Sequence, residues 1–345
     1  MTATRTEKKK KSEGSPPGAP QGGDPAVNME LLRSMLLQRR FEERCAEAYA
    51  LAKIGGFCHL YIGQEAVSTG ALSMLRPDDY VITTYRDHGP AIARGMAPRV
   101  VMAELFGRQD GCSRGKGGSM HLFDTNTNFL GGHGIVGAHV PLATGVGFAI
   151  KYRGGDQVIV CFMGESVVNT GAFHEALNMA GLWKLPCVFI IENNRYGMCT
   201  ALERASAIHD IYERGAAYNM PRAQCDGQDV FAVRKAVGEA VERARKEQVP
   251  TLLEVRTYRF MGHSMSDAVS GTYRPKSELE EQMKRDPITL LRIHMQEAGQ
   301  LTDEQLHTLD DELKAIVQDA WDFADASPEL PVEALYEDVY ADTTT

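Results

Sequence analysis

Two short apolar runs set close together constrain this chain most: Val158-Ile-Val-Cys-Phe-Met163 and Leu185-Pro-Cys-Val-Phe-Ile-Ile191, with one amphipathic helical stretch between them. Brief runs rich in β-branched and aromatic residues read as buried strands, so the segment is a βαβ unit. Its strands run parallel and are joined by a right-handed crossover, which brings their carboxyl ends to the same sheet edge. Gly164-Glu165-Ser166 follows the first strand and Asn193-Asn194-Arg195-Tyr196 the second. Glu165 and Asn194 are therefore expected at one crevice, on the edge where open α/β sheets bind ligands. Further strands are expected over 80–83, 222–225 and 251–256. Helices are expected over 28–53, from 66, and over 141–151, 206–218, 230–246 and 277–326, the last broken near Asp286-Pro287. Strands alternating with helices make this a doubly wound, mostly parallel α/β domain over 28–345 with a helical C-terminal part.

With 345 residues, 43% apolar and 24% charged, the chain can bury a large core. A net charge of −9 leaves no basic excess to neutralise phosphates, which argues against nucleic-acid binding. The seven cysteines, Cys45, Cys58, Cys112, Cys161, Cys187, Cys199 and Cys225, form no CxxC pair, and several lie in apolar runs. That pattern points to reduced thiols in a reducing compartment and to no structural zinc. No apolar run reaches membrane-span length and no signal peptide is visible, so no membrane partner is expected. Residues 1–27, with Lys8 to Lys11 and a Ser, Pro and Gly-rich run, read as a flexible low-complexity arm unlike an Arg-rich transit peptide.

Glu165 and Asn194 are hard oxygen ligands, and two such groups at adjacent strand ends suit a Mg²⁺ ion that clamps a diphosphate. The same residues also suit a helix cap and an Asn turn, and the local pattern does not choose. His59, His88, His133 and His263 all fall in loops between elements, where imidazole can relay protons. Tyr85 and Arg86 stand just past the strand at 80–83, and Arg86 can pair with phosphate. Residues 110–137 are dense in glycine, a loop long enough to be functional and able to approach a ligand closely. Within it Gly132-His-Gly134-Ile-Val-Gly137 matches GxGxxG, but no strand is expected before it because 125–128 is polar. A nucleotide-binding oxidoreductase is the rival class on that motif.

Gly164-Glu165-Ser166, then Asn169, Gly171, Glu175 and Asn178, then Asn193-Asn194, resemble the thiamin-diphosphate motif that usually runs from Gly-Asp-Gly to Asn-Asn. The likeness extends over nearly the whole chain after residue 28. Phe57-Cys-His-Leu-Tyr-Ile-Gly-Gln-Glu65, Tyr85-Arg-Asp-His-Gly89, Gly115-Lys-Gly-Gly-Ser-Met-His121, Gly134-Ile-Val-Gly137, Leu182-Trp-Lys-Leu-Pro186, Glu192-Asn-Asn-Arg-Tyr-Gly-Met198 and Gly262-His-Ser-Met-Ser-Asp267 are similar to the alpha subunits of the pyruvate dehydrogenase first component, in the thiamin-diphosphate-dependent 2-oxoacid dehydrogenase family.

The resemblance implies Mg²⁺ ligation by Glu165, Asn194 and the Tyr196 carbonyl. It implies diphosphate contacts from Tyr85, Arg86 and His263, and an aminopyrimidine held by Gly134 and Val136. Ser166 and Val167 line the cofactor, and His59 and His263 stand at the reacting centre. Glu165 replaces the usual Asp, as in branched-chain relatives. Ser166 replaces the usual second Gly, which narrows the room near the diphosphate and leaves a non-catalytic scaffold subunit as a further alternative. The implied activity is decarboxylation of pyruvate and transfer of the two-carbon unit to a lipoyl group on an acetyltransferase component. Branched-chain 2-oxoacids or acetoin are the alternative substrates. Only one of the two α/β domains that such chemistry needs is evident, and no residue here suits the carboxylate that activates the aminopyrimidine, so a beta subunit in an α2β2 heterotetramer is expected. The bacterial cytoplasm is the expected compartment, with the mitochondrial matrix as alternative. Ser264, Ser266 and Ser270 match a region phosphorylated in eukaryotic relatives, where added charge would oppose a diphosphate.

Overall fold

The computed structural model describes residues 23–339. Its centre is a sheet of six strands in the order β2-β1-β3-β4-β8-β7, every neighbouring pair parallel. The strands are β1 (Tyr80–Thr84), β2 (Phe129–His133), β3 (Ile159–Gly164), β4 (Cys187–Asn193), β7 (Arg222–Asp226) and β8 (Thr251–Arg256); β5 (Tyr196–Gly197) and β6 (Thr200–Ala201) form a separate two-residue hairpin. The α/β class expected from sequence is borne out.

Alternation along β3 and β4 explains why both faces are covered. Val160, Phe162, Val188 and Ile190 join one core with residues of α1 (Pro25–Ala50), α2 (Glu65–Leu72), α3 (His88–Arg94), α4 (Pro98–Leu105), α8 (Val230–Glu247) and α11 (Asp303–Ala326). Ile159, Cys161, Met163, Cys187, Phe189 and Ile191 join another with α5 (His139–Tyr152) and α6 (Gly171–Trp183). A strand apolar on both sides can be stable only between two helical layers. The remaining helices are α7 (Leu202–Ala205), α9 (Lys276–Met283) and α10 (Pro287–Glu297). Among the described residues no helix is long and apolar enough to cross a membrane.

Three expectations change. Helix α1 begins at Pro25 rather than 28, because proline suits the first helical position and Asp24 caps it, accepting from Ala26 N at 2.9 Å. The arm expected over 1–27 therefore gives up its last residues to α1, and residues 1–22 lie outside those described. The helix expected over 206–218 is a 3₁₀ stretch, Ile211–Tyr218, after the short α7. A strand does precede the GxGxxG match: β2 runs into it and α5 follows. Its topology still differs from a dinucleotide-binding unit, in which the strand after the glycine motif ends beside it. Here β1 lies between β2 and β3.

The chain passes from β1 outward to β2, returns to β3 on the other side of β1, and continues to β4. The strand order thus reverses between β1 and β3. Crossovers leave in opposite directions there, and a crevice opens at the carboxyl ends of the two strands.

Candidate active site

A cavity of about 230 Å³ occupies that crevice. Tyr85 and Arg86 reach it from the end of β1, Glu165, Ser166 and Val167 from the end of β3, and Asn194 and Tyr196 from the end of β4. Val136 enters from the loop after β2, and His263 from the long loop after β8. His59 stands beside them, its ring centroid 4.5 Å from Tyr85 and 5.0 Å from His263. Gly134 is not part of the wall; its Cα faces the His121 ring. His88 is elsewhere, buried against Glu42 at 2.9 Å and Ser119. His133 bonds the Leu130 carbonyl and stacks on His139.

Glu165 caps no helix. The N-cap of α6 is Thr170, whose hydroxyl accepts from Phe173 N, and Glu165 instead opens a 3₁₀ turn, Glu165–Asn169. Asn193 serves the turn: its Oδ1 accepts from Arg195 N at 3.1 Å and its Nδ2 donates to Glu254 at 2.8 Å. Asn194 faces the cavity, with Nδ2 donating to Gln64 Oε1 at 3.1 Å and Oδ1 accepting from Tyr196 N at 3.3 Å. Arg195 and Met198 hold φ of +75° and +53°, a left-handed conformation that keeps this turn tight above the cavity.

The wall carries groups of both charges. Glu165 is 2% exposed, and no lysine or arginine among the described residues forms an ion pair with it. Burial raises its pKa. The same wall holds two buried guanidinium groups bonded to oxygens that carry no charge. Arg86 donates to the carbonyls of Leu60 at 2.7 Å and His263 at 2.8 Å. Arg259 donates to the Met261 carbonyl at 3.1 Å and Tyr273 Oη at 2.9 Å, and more weakly to the Met198 and Tyr196 carbonyls at 3.4 and 3.5 Å. Burial and then Arg259 lower the Arg86 pKa to about 10. The Nδ1 atoms of His59 and His263 are buried without hydrogen-bond partners. Burial, and then Arg86, push His59 down to about 2 and His263 to about 4, so both imidazoles are neutral near pH 7.

These donors fit a metal-bound diphosphate. An unpaired carboxylate, an amide oxygen and a nearby backbone carbonyl make a hard-cation set. Two guanidinium groups without carboxylates call for an anion. A Cβ added to Gly164 would meet nothing within 4 Å, so the cavity is open beside the end of β3. Ser166 folds against Gly197: its Oγ lies 1.8 Å from where a Cβ on Gly197 would stand.

Gln64, Glu192 and Arg259 carried no sequence signal of their own, and neither did Thr84. The first two lie inside the quoted motifs, yet only the fold shows them meeting. Glu192 accepts from the Tyr61 hydroxyl, and burial lifts its pKa to about 7. The glycine-dense segment 111–118, by contrast, avoids the cavity. Its backbone wraps the buried carboxylate of Glu104, which accepts from Ser113, Gly115, Gly117 and Gly118 N at 2.8 to 3.0 Å. The loop after β8 is stiffened in the same way: Ser264 N and Oγ donate to Asp267, and Ser266 Oγ meets Tyr49 Oη at 2.8 Å.

Comparison with known proteins gives a consistent result. The family described as "Dehydrogenase E1 component" matches residues 33–333. A Rhizobium meliloti protein named pyruvate dehydrogenase E1 component subunit alpha is 49% identical over 313 residues, covering 90% of this chain and 89% of its own. Proteins of the same name from Rickettsia bellii (46%, 89% and 94% covered) and Zymomonas mobilis (46%, 90% and 88% covered) are similar to it as well.

Proposed function

The chain belongs to the dehydrogenase E1 component family, and from that premise we propose that it is the alpha subunit of a pyruvate dehydrogenase, binding Mg²⁺ and thiamin diphosphate in the β1–β3 crevice. One observation carries this reading: unpaired Glu165 with Asn194 lines a single cavity together with Arg86 and Arg259, which lack carboxylate partners. Glu165, Asn194 Oδ1 and the Tyr196 carbonyl hold the metal. Arg86, Arg259, Tyr85 and His263 hold the diphosphate, and Ser166 and Val167 line its other side. Val136, with Gly134 behind it, faces the aminopyrimidine. When bound, the cofactor supplies an electron sink for loss of carbon dioxide from a 2-oxo acid. The neutral imidazoles of His59 and His263 offer hydrogen-bonding groups beside that centre. A lipoyl group on an acetyltransferase component receives the two-carbon unit.

A beta subunit completes the site, in an α2β2 heterotetramer. Val136 and Met198 line the cavity yet remain 47% and 61% exposed, and Phe57 beside His59 is 61% exposed. An apolar rim around a charged cavity suits a protein partner. The carboxylates lining the cavity are Glu165, assigned to the metal, and Glu192, bonded to Tyr61 and Gln64, so the acid that activates the aminopyrimidine comes from that partner. The bacterial relatives support the bacterial cytoplasm as the compartment.

Co-expression with a beta subunit tests the reading. The purified chain alone is expected to be inactive, and the complex to decarboxylate pyruvate with Mg²⁺ and thiamin diphosphate. Substantial cofactor-dependent decarboxylation by the pure chain would overturn the shared site. Faster turnover of a branched-chain 2-oxoacid would reassign the substrate.

A further inference from the structure

Gln64 is 1% exposed and touches no charged ligand group, yet it contacts Asn194 directly. Its backbone is locked in place. Gly63 holds φ of +99°, and a Cβ there would stand 2.4 Å from the Tyr258 carbonyl. Gly63 N donates to Glu65 Oε2 at 3.0 Å, and Glu65 is itself anchored to Arg39 at 2.6 Å. The side-chain amide then bridges two groups. Nε2 faces Glu192 Oε1 at 3.5 Å, the oxygen that also accepts from the Tyr61 hydroxyl, and Oε1 accepts from Asn194 Nδ2 at 3.1 Å.

An asparagine side chain can present either its oxygen or its NH₂ in nearly the same volume, and only its partners choose between them. Only the oxygen can bind a cation. Here it is chosen from two sides: Tyr196 N donates to Oδ1 at 3.3 Å, and a relay through Gln64 selects the same orientation. The Glu192 oxygen accepts, so Gln64 turns its NH₂ toward it. Gln64 Oε1 then accepts, so Asn194 turns its NH₂ toward Gln64. Asn194 Oδ1 is left toward the Tyr196 side of the cavity.

We propose that Gln64, oriented by Glu192, is a positioning residue that fixes the amide of Asn194 with its oxygen presented to the metal. This rests on the reading of the crevice as a Mg²⁺–diphosphate site. Partners of this kind behind a ligand are commonly worth 10- to 100-fold in metal affinity.

The test is a calorimetric Mg²⁺ titration of the complex with its beta subunit, saturated with thiamin diphosphate, with a thermal melt of each variant. Gln64→Met keeps the length and removes both polar contacts. It is expected to weaken Mg²⁺ binding about 10- to 100-fold with the melt retained. In an Asn194→Asp background either carboxylate oxygen can bind the metal, so the same substitution should change the affinity less than about threefold. Equal losses in both backgrounds would mean that Gln64 only packs, and no loss in either would mean that it does nothing for the ligand; each overturns the proposal. If Gln64→Met fails to melt cooperatively, Glu192→Met replaces it, since that change removes the acceptor that orients Gln64, and the same background dependence is required. Absence of Mg²⁺ binding by the unsubstituted complex would overturn the underlying reading, and the proposal with it.

Discussion

Ser166 and Gly197 share one volume, with Ser166 Oγ lying 1.8 Å from where a Cβ on Gly197 would stand. The serine that replaces the usual glycine is thus stowed against a residue that has no side chain. Its hydroxyl stays 3.4 Å from Glu165 Oε1, and the same Cβ would stand 3.5 Å from that oxygen. Glu165, Ser166 and Gly197 therefore form one packing unit. Gly197→Ala should push Ser166 toward the diphosphate space and lose stability by about 1–3 kcal/mol, the usual scale of overpacking. The double variant Gly197→Ala with Ser166→Gly should recover both melt and cofactor affinity. Recovery of neither would show that the two residues are not coupled.

Glu165 can be tested by truncation and by shortening. Glu165→Ala removes the charged oxygen of the cation set and should abolish Mg²⁺-dependent binding of thiamin diphosphate in the assembled complex. Glu165→Asp keeps the charge and should retain much of it. Calorimetric titration separates the two, and an alanine variant with unaltered affinity would mean that Glu165 is a buried polar residue without a ligand.

The apolar runs of β3 and β4 are legible in sequence because strands buried on both faces leave continuous hydrophobic stretches. That alone places Glu165 and Asn194 on one edge. Strand β2 is not legible. It contains Gly131 and Gly132, takes φ of +98° at Gly131, and among the sheet strands pairs with β1 alone, through a shifted register. A glycine-rich edge strand has neither the β-branched composition nor the alternation that marks a strand. The meeting of Gln64 with Asn194 is equally hidden, because 130 positions separate them and only the switch in strand order brings them together. The glycines of 111–118 invite a reading as a ligand loop, yet what their backbone approaches is the Glu104 carboxylate.

His59 links the site to acid stability. Burial lowers its pKa from 6.5 to about 2. A folded-state value below the unfolded one means that the unfolded chain binds the extra proton as pH falls, so the cost is absent above about pH 6.5 and grows below it. The slope is about 1.4 kcal/mol per pH unit for one proton. His139, lowered to about 4, acts in the same direction. His59→Gln should therefore lose about 2 kcal/mol less than the unsubstituted protein between pH 6.5 and pH 5. Urea unfolding at the two values measures it, and parallel losses would mean that His59 is protonated in the folded state.

Glu104 gives the sharpest stability prediction. It is fully buried at the end of α4, and four backbone N–H groups of the 111–118 loop donate to its two oxygens. The glycines make this convergence possible: a Cβ on Gly111 would stand 2.3 Å from Glu104 Oε2, and one on Gly115 would stand 2.4 Å from the Gly107 carbonyl carbon. Glu104→Ala would leave these donors without their acceptor. Hydrogen bonds to a charged group are worth about 1.5–3 kcal/mol each, and orphaned buried donors add a desolvation cost. The variant should therefore lose at least about 3 kcal/mol in urea unfolding. Glu104→Gln should lose less, because its single remaining oxygen still accepts while its NH₂ opposes the other donors. A loss under about 1 kcal/mol in the alanine variant would mean that water replaces the carboxylate and that the loop is held by its own backbone turns.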